Sequence, residues 1–152
     1  MQPAQTLYDA DFYLWTQQQA ALLREGKWQA LDYANLAEEI ESVGRSDKRE
    51  LSNRLKVLVM HLLKWRYQPE GRQTGHSWDD TIWEQRGQIA AILEDSPSLQ
   101  REVATRLAQQ YPAARRKASR DTRLPETTFP ATCPWSIEQL LDEEFWPEAE
   151  GA

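Results

Sequence analysis

The sequence predicts an all-α fold: a single-domain irregular bundle of five to six helices packed around a buried central helix at about residues 46–67. Three observations predict it. Apolar residues recur at helical spacing along most of the chain, and no stretch alternates with the two-residue period of a strand. Residues 55–65 are apolar almost all the way round, which marks a helix enclosed by its neighbours. The chain has 152 residues, of which 40% are hydrophobic and seven are tryptophan, enough to bury a core without metal or disulfide staples. One domain over 1–152 is the expected organisation.

Taken in order, the first helix is expected to begin at Asp9, a residue able to cap free amides. It carries Tyr8, Phe12, Trp15, Leu22 and Leu23 on one face and stops at Gly26. A second helix opens at Asp32, turns Leu36, Ile40 and Val43 inward and ends at Gly44. The third, central helix is capped by Ser46 or Asp47. Leu51, Leu55, Leu58, Leu62 and Trp65 form its main stripe, Val59 and Leu63 widen it, and Met60 lies opposite. His61 falls about 90° off that stripe. Pro69 and Gly71 end the helix in an exposed loop through His76.

Ser77 is expected to cap the fourth helix, whose inward face is Trp78, Ile82, Ile89, Ile92 and Leu93. Ser96-Pro97 starts the fifth, with Leu99, Val103, Leu107, Tyr111 and Ala114 inward and a kink or break at Pro112. Residues 123–135 read as an extended surface connector. It leads to a short last helix, where Ser136 and Gln139 have capping-box spacing and Leu141, Phe145 and Trp146 latch the piece down.

Composition also narrows function. A net charge of −6 argues against wholesale binding to phosphate backbones. A single cysteine, Cys133, excludes an internal disulfide, and the amino terminus lacks the pattern of a secretory signal, so the cytoplasm is the expected compartment. No apolar run exceeds five residues (89–93), too short to span a bilayer, so no membrane contact is expected.

Several short motifs recur in a telling order: Tyr8-Asp9, Asp11-Phe12-Tyr13-Leu14-Trp15, Asn35-Leu36-Ala37-Glu38-Glu39-Ile40-Glu41, His61-Leu62-Leu63-Lys64-Trp65, Ser77-Trp78, Ser96-Pro97-Ser98-Leu99 and Cys133-Pro134-Trp135. Together they make the chain resemble the bacterial family known as domain of unknown function 29, over nearly its whole length. The resemblance implies an all-helical, bundle-like domain of small stand-alone bacterial proteins. It implies no reaction, cofactor or partner, and therefore no catalytic residue.

Three sets of side chains are candidates for chemistry. Glu38, Glu39 and Glu41 set against His61, with Asp79, Asp80 and His76 further out, are the kind of donors that a divalent metal or an acid/base site between the second and third helices would use. Their spacing fits poorly: Leu58 stands three before His61 and Gln73 three before His76, where di-metal bundles place glutamate. A solvated acidic face and a packing histidine explain the same residues. Arg115, Arg116, Lys117 and Arg120, with Arg123, form a basic patch able to meet nucleic acid or an acidic partner. Cations near a helix carboxyl end are also expected from the dipole. Trp65, Trp78 and Trp83 are candidates to line a pocket, although aromatics at helical spacing are ordinarily core. Cys133 has no adjacent base to activate it, and Ser77 is explained as a cap.

The reading is a small cytoplasmic protein-interaction module for an unidentified protein partner, with no cofactor expected. It uses the acidic second-helix face or the basic fifth-helix end. A metal-assisted or acid/base enzyme is the alternative, and a nucleic-acid-associated protein the second alternative. The sequence leaves the oligomeric state open.

Overall fold

The computed structural model describes residues 6–73 and 77–148, which fold into helices and short 3₁₀ turns, with no strand among the described residues. The helices are α1 (Leu7–Ala10), α2 (Phe12–Arg24), α3 (Tyr33–Tyr67), α4 (Trp78–Asp95), α5 (Val103–Thr122) and α6 (Ile137–Leu141). The chain divides into two compact units, Met1–Ser46 and Asp47–Ala152.

In the first unit the expected cap at Asp9 is replaced by two others. The Thr6 hydroxyl accepts from the Asp9 amide at 3.3 Å and opens α1, and Asp11, whose backbone leaves the helical region, accepts from the Leu14 amide at 3.0 Å and opens α2. Asp9 instead lies within the first turn, where its charge suits the helix dipole. Gly26 ends α2 as expected. Its φ of +70° lets Gly26 and Lys27 donate to the carbonyls of Leu23 and Leu22, which satisfies two helix-end acceptors. Asp32 then caps α3, accepting from the Asn35 amide at 3.4 Å and from Trp15 Nε1 at 3.1 Å.

Gly44, by contrast, does not stop a helix. The expected second and third helices are the single helix α3, and neither Ser46 nor Asp47 is a cap. Helical glycine costs about 1 kcal/mol relative to alanine, too little to break a helix that is held on both sides of it. Arg45 pairs with Glu38 at 2.9 Å and with Glu41 at 3.7 Å. An exposed i,i+4 helical pair contributes about 0.3–0.5 kcal/mol, which offsets part of the deficit. Gly26 and Gly44 thus differ in backbone sign: only Gly26 adopts positive φ among the described glycines.

The second unit holds the large core. Leu51, Leu55, Leu58, Leu62, Val59 and Leu63 are fully buried, and Met60, on the opposite side, is nearly so. The enclosed helix inferred from apolar girth is therefore present. Around it pack Ile82 and Ile89 of α4, and Val103, Leu107, Tyr111, Ala114 and Ala118 of α5. The first turn after Ser96-Pro97 winds as a 3₁₀ helix, Pro97–Glu102, before α5 begins. Neither Ser77 nor Ser96 makes a side-chain cap bond.

Pro112 does not break α5, which runs through it to Thr122. An interior proline costs about 3 kcal/mol or more. Each buried large side chain returns about 1.5–3 kcal/mol, and α5 buries Leu107 and Tyr111 before the proline; the methyl groups of Ala114 and Ala118 after it return less but pack closely against the core. The helix ends at Arg123, in the left-handed region at φ 60°.

The segment after α5 differs from the expected surface connector. It carries a 3₁₀ turn, Glu126–Thr128, and it buries Phe129, whose ring meets Tyr67 edge-on at 5.4 Å. The capping box at Ser136 and Gln139 is present and opens α6. Residues 126–148 form a strap whose carbonyls lack a sheet partner, and side chains from the helices supply the donors. Arg115 Nη2 donates to the Phe129 carbonyl at 2.9 Å, and the Tyr111 hydroxyl donates to Pro130 at 2.5 Å. Arg86 Nε donates to Leu140 at 2.8 Å, at the carboxyl end of α6, while Arg72 Nη2 reaches Pro147 at 3.4 Å. Trp146 packs on Trp65 at 4.7 Å.

Two outcomes follow. Gly44→Ala is expected to stabilise the protein by about 0.5–1 kcal/mol, because a Cβ there meets nothing within 4 Å; no gain in chemical denaturation would contradict the open helical position. Arg86→Ala is expected to cost about 2–3 kcal/mol through lost charge-assisted bonds and to release the strap first. Hydrogen exchange confined to α6 and its flanks at low denaturant checks this, and uniform exchange across the unit would overturn it.

Candidate functional site

The acidic residues proposed for chemistry are already engaged. Glu38 and Glu41 are held by Arg45, and Glu39 accepts a hydrogen bond from the Tyr8 hydroxyl. That bond, with burial and nearby carboxylates adding to it, raises the Tyr8 pKa to about 12. All three glutamates lie in the first unit and His61 in the second. The helix junction at which a Glu/His site was expected is the interior of one helix, since α3 is continuous. Among the described residues no three His, Cys, Asp or Glu side chains converge as a metal ion requires. Asp79 and Asp80 sit in the first turn of α4, and His76 lies outside the described residues.

His61 has a local role. A carbonyl can only accept, so His61 Nδ1 carries the proton and donates to the Val57 carbonyl at 2.9 Å, leaving Nε2 with its lone pair. Burial lowers the His61 pKa, the Val57 carbonyl opposes the shift, and the cation of Lys64 reinforces it. Asp121 and Lys117 act on it in opposite senses. Lys64 is itself buried and donates to Asp121 at 2.7 Å; Lys117 donates to the other oxygen at 2.8 Å. Burial pushes the Asp121 carboxyl up, but those two bonds outweigh it and hold it below its ordinary range.

The basic patch is divided in the same way. Arg115 is a structural donor to Phe129 and pairs with Glu126 at 3.3 Å, and Lys117 is tied to Asp121. Arg116 and Arg120 are exposed on α5. The tryptophans do not form one wall. Trp65 lies between Trp146 and the Arg72 guanidinium, 4.6 Å from its ring centroid. Trp78 covers Gly71, where a Cβ would stand 2.2 Å from the indole. Trp83 is 66% exposed, so it encloses nothing.

Two features that sequence reasoning missed stand out. Residues of the first unit leave most of their apolar side chains in solvent. Among the described residues, eight of the nine exposed large hydrophobics fall in this unit: Phe12, Tyr13, Leu14, Leu23, Trp28, Tyr33, Ile40 and Val43. Its interior is closed largely by polar groups instead. Buried Gln19 accepts from the Asp32 amide at 2.8 Å, and Trp15 and Asn35 both donate to the Asp32 carboxylate. On α3, Tyr33, Leu36, Ile40 and Val43 repeat at a and d spacing, a seam within about 80° of one face. Tyr33, Ile40 and Val43 are 60%, 71% and 64% exposed. The sequence pattern turns Leu36, Ile40 and Val43 inward, whereas Ile40 and Val43 face solvent. The second feature is a cleft of about 360 Å³ between α5 and the strap, with Tyr111, Pro112, Cys133 and Trp135 among its walls. Cys133 is half-buried, and burial pushes its thiol up.

The His61 environment makes a pH prediction. Its folded pKa lies below the ordinary 6.5. Below pH 6.5 the unfolded chain takes up a proton that the folded chain refuses, so this contribution is complete above 6.5 and is lost as pH falls through the folded value. An NMR titration of the His61 ring is expected to show a midpoint below 6.5, and His61→Gln to remove that part of the acid destabilisation; a midpoint at or above 6.5 contradicts the assignment.

Comparison with known proteins yields a family. No curated protein and no solved structure matches the chain. A family model described as Domain of unknown function DUF29 matches residues 7–146, almost the full span of the helices and strap described above. The chain belongs to the DUF29 family.

Proposed function

We propose that the protein is a small cytoplasmic interaction module that engages a protein partner through the apolar surface of its first unit. The observation that supports this reading is the concentration of exposed large hydrophobics there, centred on the exposed seam of Tyr33, Ile40 and Val43. Scattered exposed apolar residues need no explanation, but a concentration of them marks an interaction surface. An a/d seam on a helix is built to meet another helix. The charges that were the first candidates for partner contact contribute less. Glu38 and Glu41 share the single cation of Arg45, and Arg115 is committed to the strap. No helix is long and apolar enough to cross a membrane among the described residues, and the lone cysteine suits a reducing compartment.

A photo-crosslinking residue at position 40, introduced into the protein in its native cells, is expected to give one discrete adduct with another protein. The same residue at Glu84, an exposed polar position on α4, is expected to give none. Adding Val43→Glu in the first case abolishes the adduct without loss of helicity. Indistinguishable labelling from the two positions would overturn the reading.

A further inference from the structure

The cleft in the second unit has one wall on α5 and the other on the strap. Ala104, Ala108 and Pro112 line the helix wall at four-residue spacing, which sets them on one face. Tyr111, Cys133 and Trp135 supply apolar and aromatic area. Its volume of about 360 Å³ falls within the size range of small-molecule sites.

What such a cleft recognises depends on its unmet hydrogen-bonding groups. Its two acidic side-chain donors are committed. The Tyr111 hydroxyl donates to the Pro130 carbonyl, and the Cys133 thiol lies 3.6 Å from the Trp135 carbonyl. Burial raises Tyr111 to about 12 and pushes Cys133 up as well, so both keep their protons. On the helix wall the balance runs the other way. Residue 112 would ordinarily donate its amide to the carbonyl of residue 108, but proline has none. The Ala108 carbonyl therefore lacks its helical donor, and Ala108 and Pro112 both line the cleft. Thr132, exposed at the rim, carries a hydroxyl able to donate or accept. A ligand that presents a donor here can take the place of the amide that Pro112 lacks.

We propose that this cleft binds a small flat aromatic molecule carrying one hydrogen-bond donor, of the indole or phenol class, with its ring against Trp135 and its donor on the Ala108 carbonyl. The small side chains at 104 and 108 leave room for a ring, and offset or edge contact with Trp135 and Tyr111 favours an aromatic body over an aliphatic one. Pro112 thereby acquires a role beyond the helix, because it frees the acceptor that orients the ligand. The inference is independent of the interaction surface on the first unit.

Indole and indene test it with the full chain, because they share a shape and differ in the N–H. Indole is expected to shift the amide resonances of residues 104–111 and 131–137 and to bind about three- to tenfold more tightly than indene, the range of one net hydrogen bond. In Pro112→Ala, residue 112 regains an amide for Ala108, so the ratio falls to about one. This variant replaces proline with the best helix former, so folding is not the obstacle. Ala104→Phe, at an exposed position, fills the cleft and abolishes both shifts. Equal affinity for the two ligands in the natural protein, a preference that survives Pro112→Ala, or no shift in these segments at millimolar ligand would each overturn the proposal.

Discussion

An extended strap outside any sheet must find donors for its carbonyls, and the second unit depends on how that demand is met. Water satisfies such groups at the surface, but this strap buries Phe129 and Leu140, so protein side chains must do part of the work. Arginine suits the task because its several N–H groups reach more than one acceptor and stay charged at any physiological pH. Arg86 shows the consequence most clearly. It is 2% exposed, yet its named hydrogen bonds are to the backbone carbonyls of Gln139 and Leu140. Burial lowers its pKa, and the charges of Asp142 and Glu143 oppose the shift. The cation acts as a cap for α6, a helix too short to be stable alone. The same logic removes Arg115 from the protein's free surface charge.

The two units solve burial differently. In the second, apolar side chains surround α3 and the polar groups are fastened to the periphery. In the first, Trp15 is the one fully buried hydrophobic residue among those described, and the closure is a set of bonds to Asp32. Several bonds from neutral donors hold the Asp32 carboxyl below its ordinary range, chiefly that of Asn35, against the opposing effect of burial. A unit closed this way leaves apolar area at its surface.

Much of the architecture was legible because long apolar periodicity is averaged over many residues. Leu51 through Trp65 and Leu99 through Ala114 each repeat often enough that one exception does not obscure the face. Local punctuation was less reliable. Gly26 and Gly44 are the same letter, and only the backbone sign and the ion pairs bridging Gly44 distinguish a stop from a continuation. Pro112 was overridden by burial on both sides of it, a sum that becomes visible only with tertiary contacts. The candidate site was least legible. Glu38, Glu41 and His61 have the right chemistry for a site, but their partners are ordinary ones within their own units. Tyr33, Ile40 and Val43 carry the same pattern whether a heptad seam faces a core or faces outward. Arg86 did leave a trace, since it stands four after Ile82 and three before Ile89 on an otherwise inward stripe.

Gly71 and Trp78 show how neighbouring positions become dependent on each other. The missing side chain of Gly71 forms the seat of the Trp78 ring, and a methyl group at residue 71 would overlap the indole. The size permitted at one position is thus set by the occupant of the other. Over evolutionary time the order of change is constrained: residue 78 has to become smaller before residue 71 can become larger, and the reverse order passes through a clash. A glycine in the 3₁₀ turn Pro69–Gln73 can therefore be as fixed as a catalytic residue, for as long as its tryptophan remains.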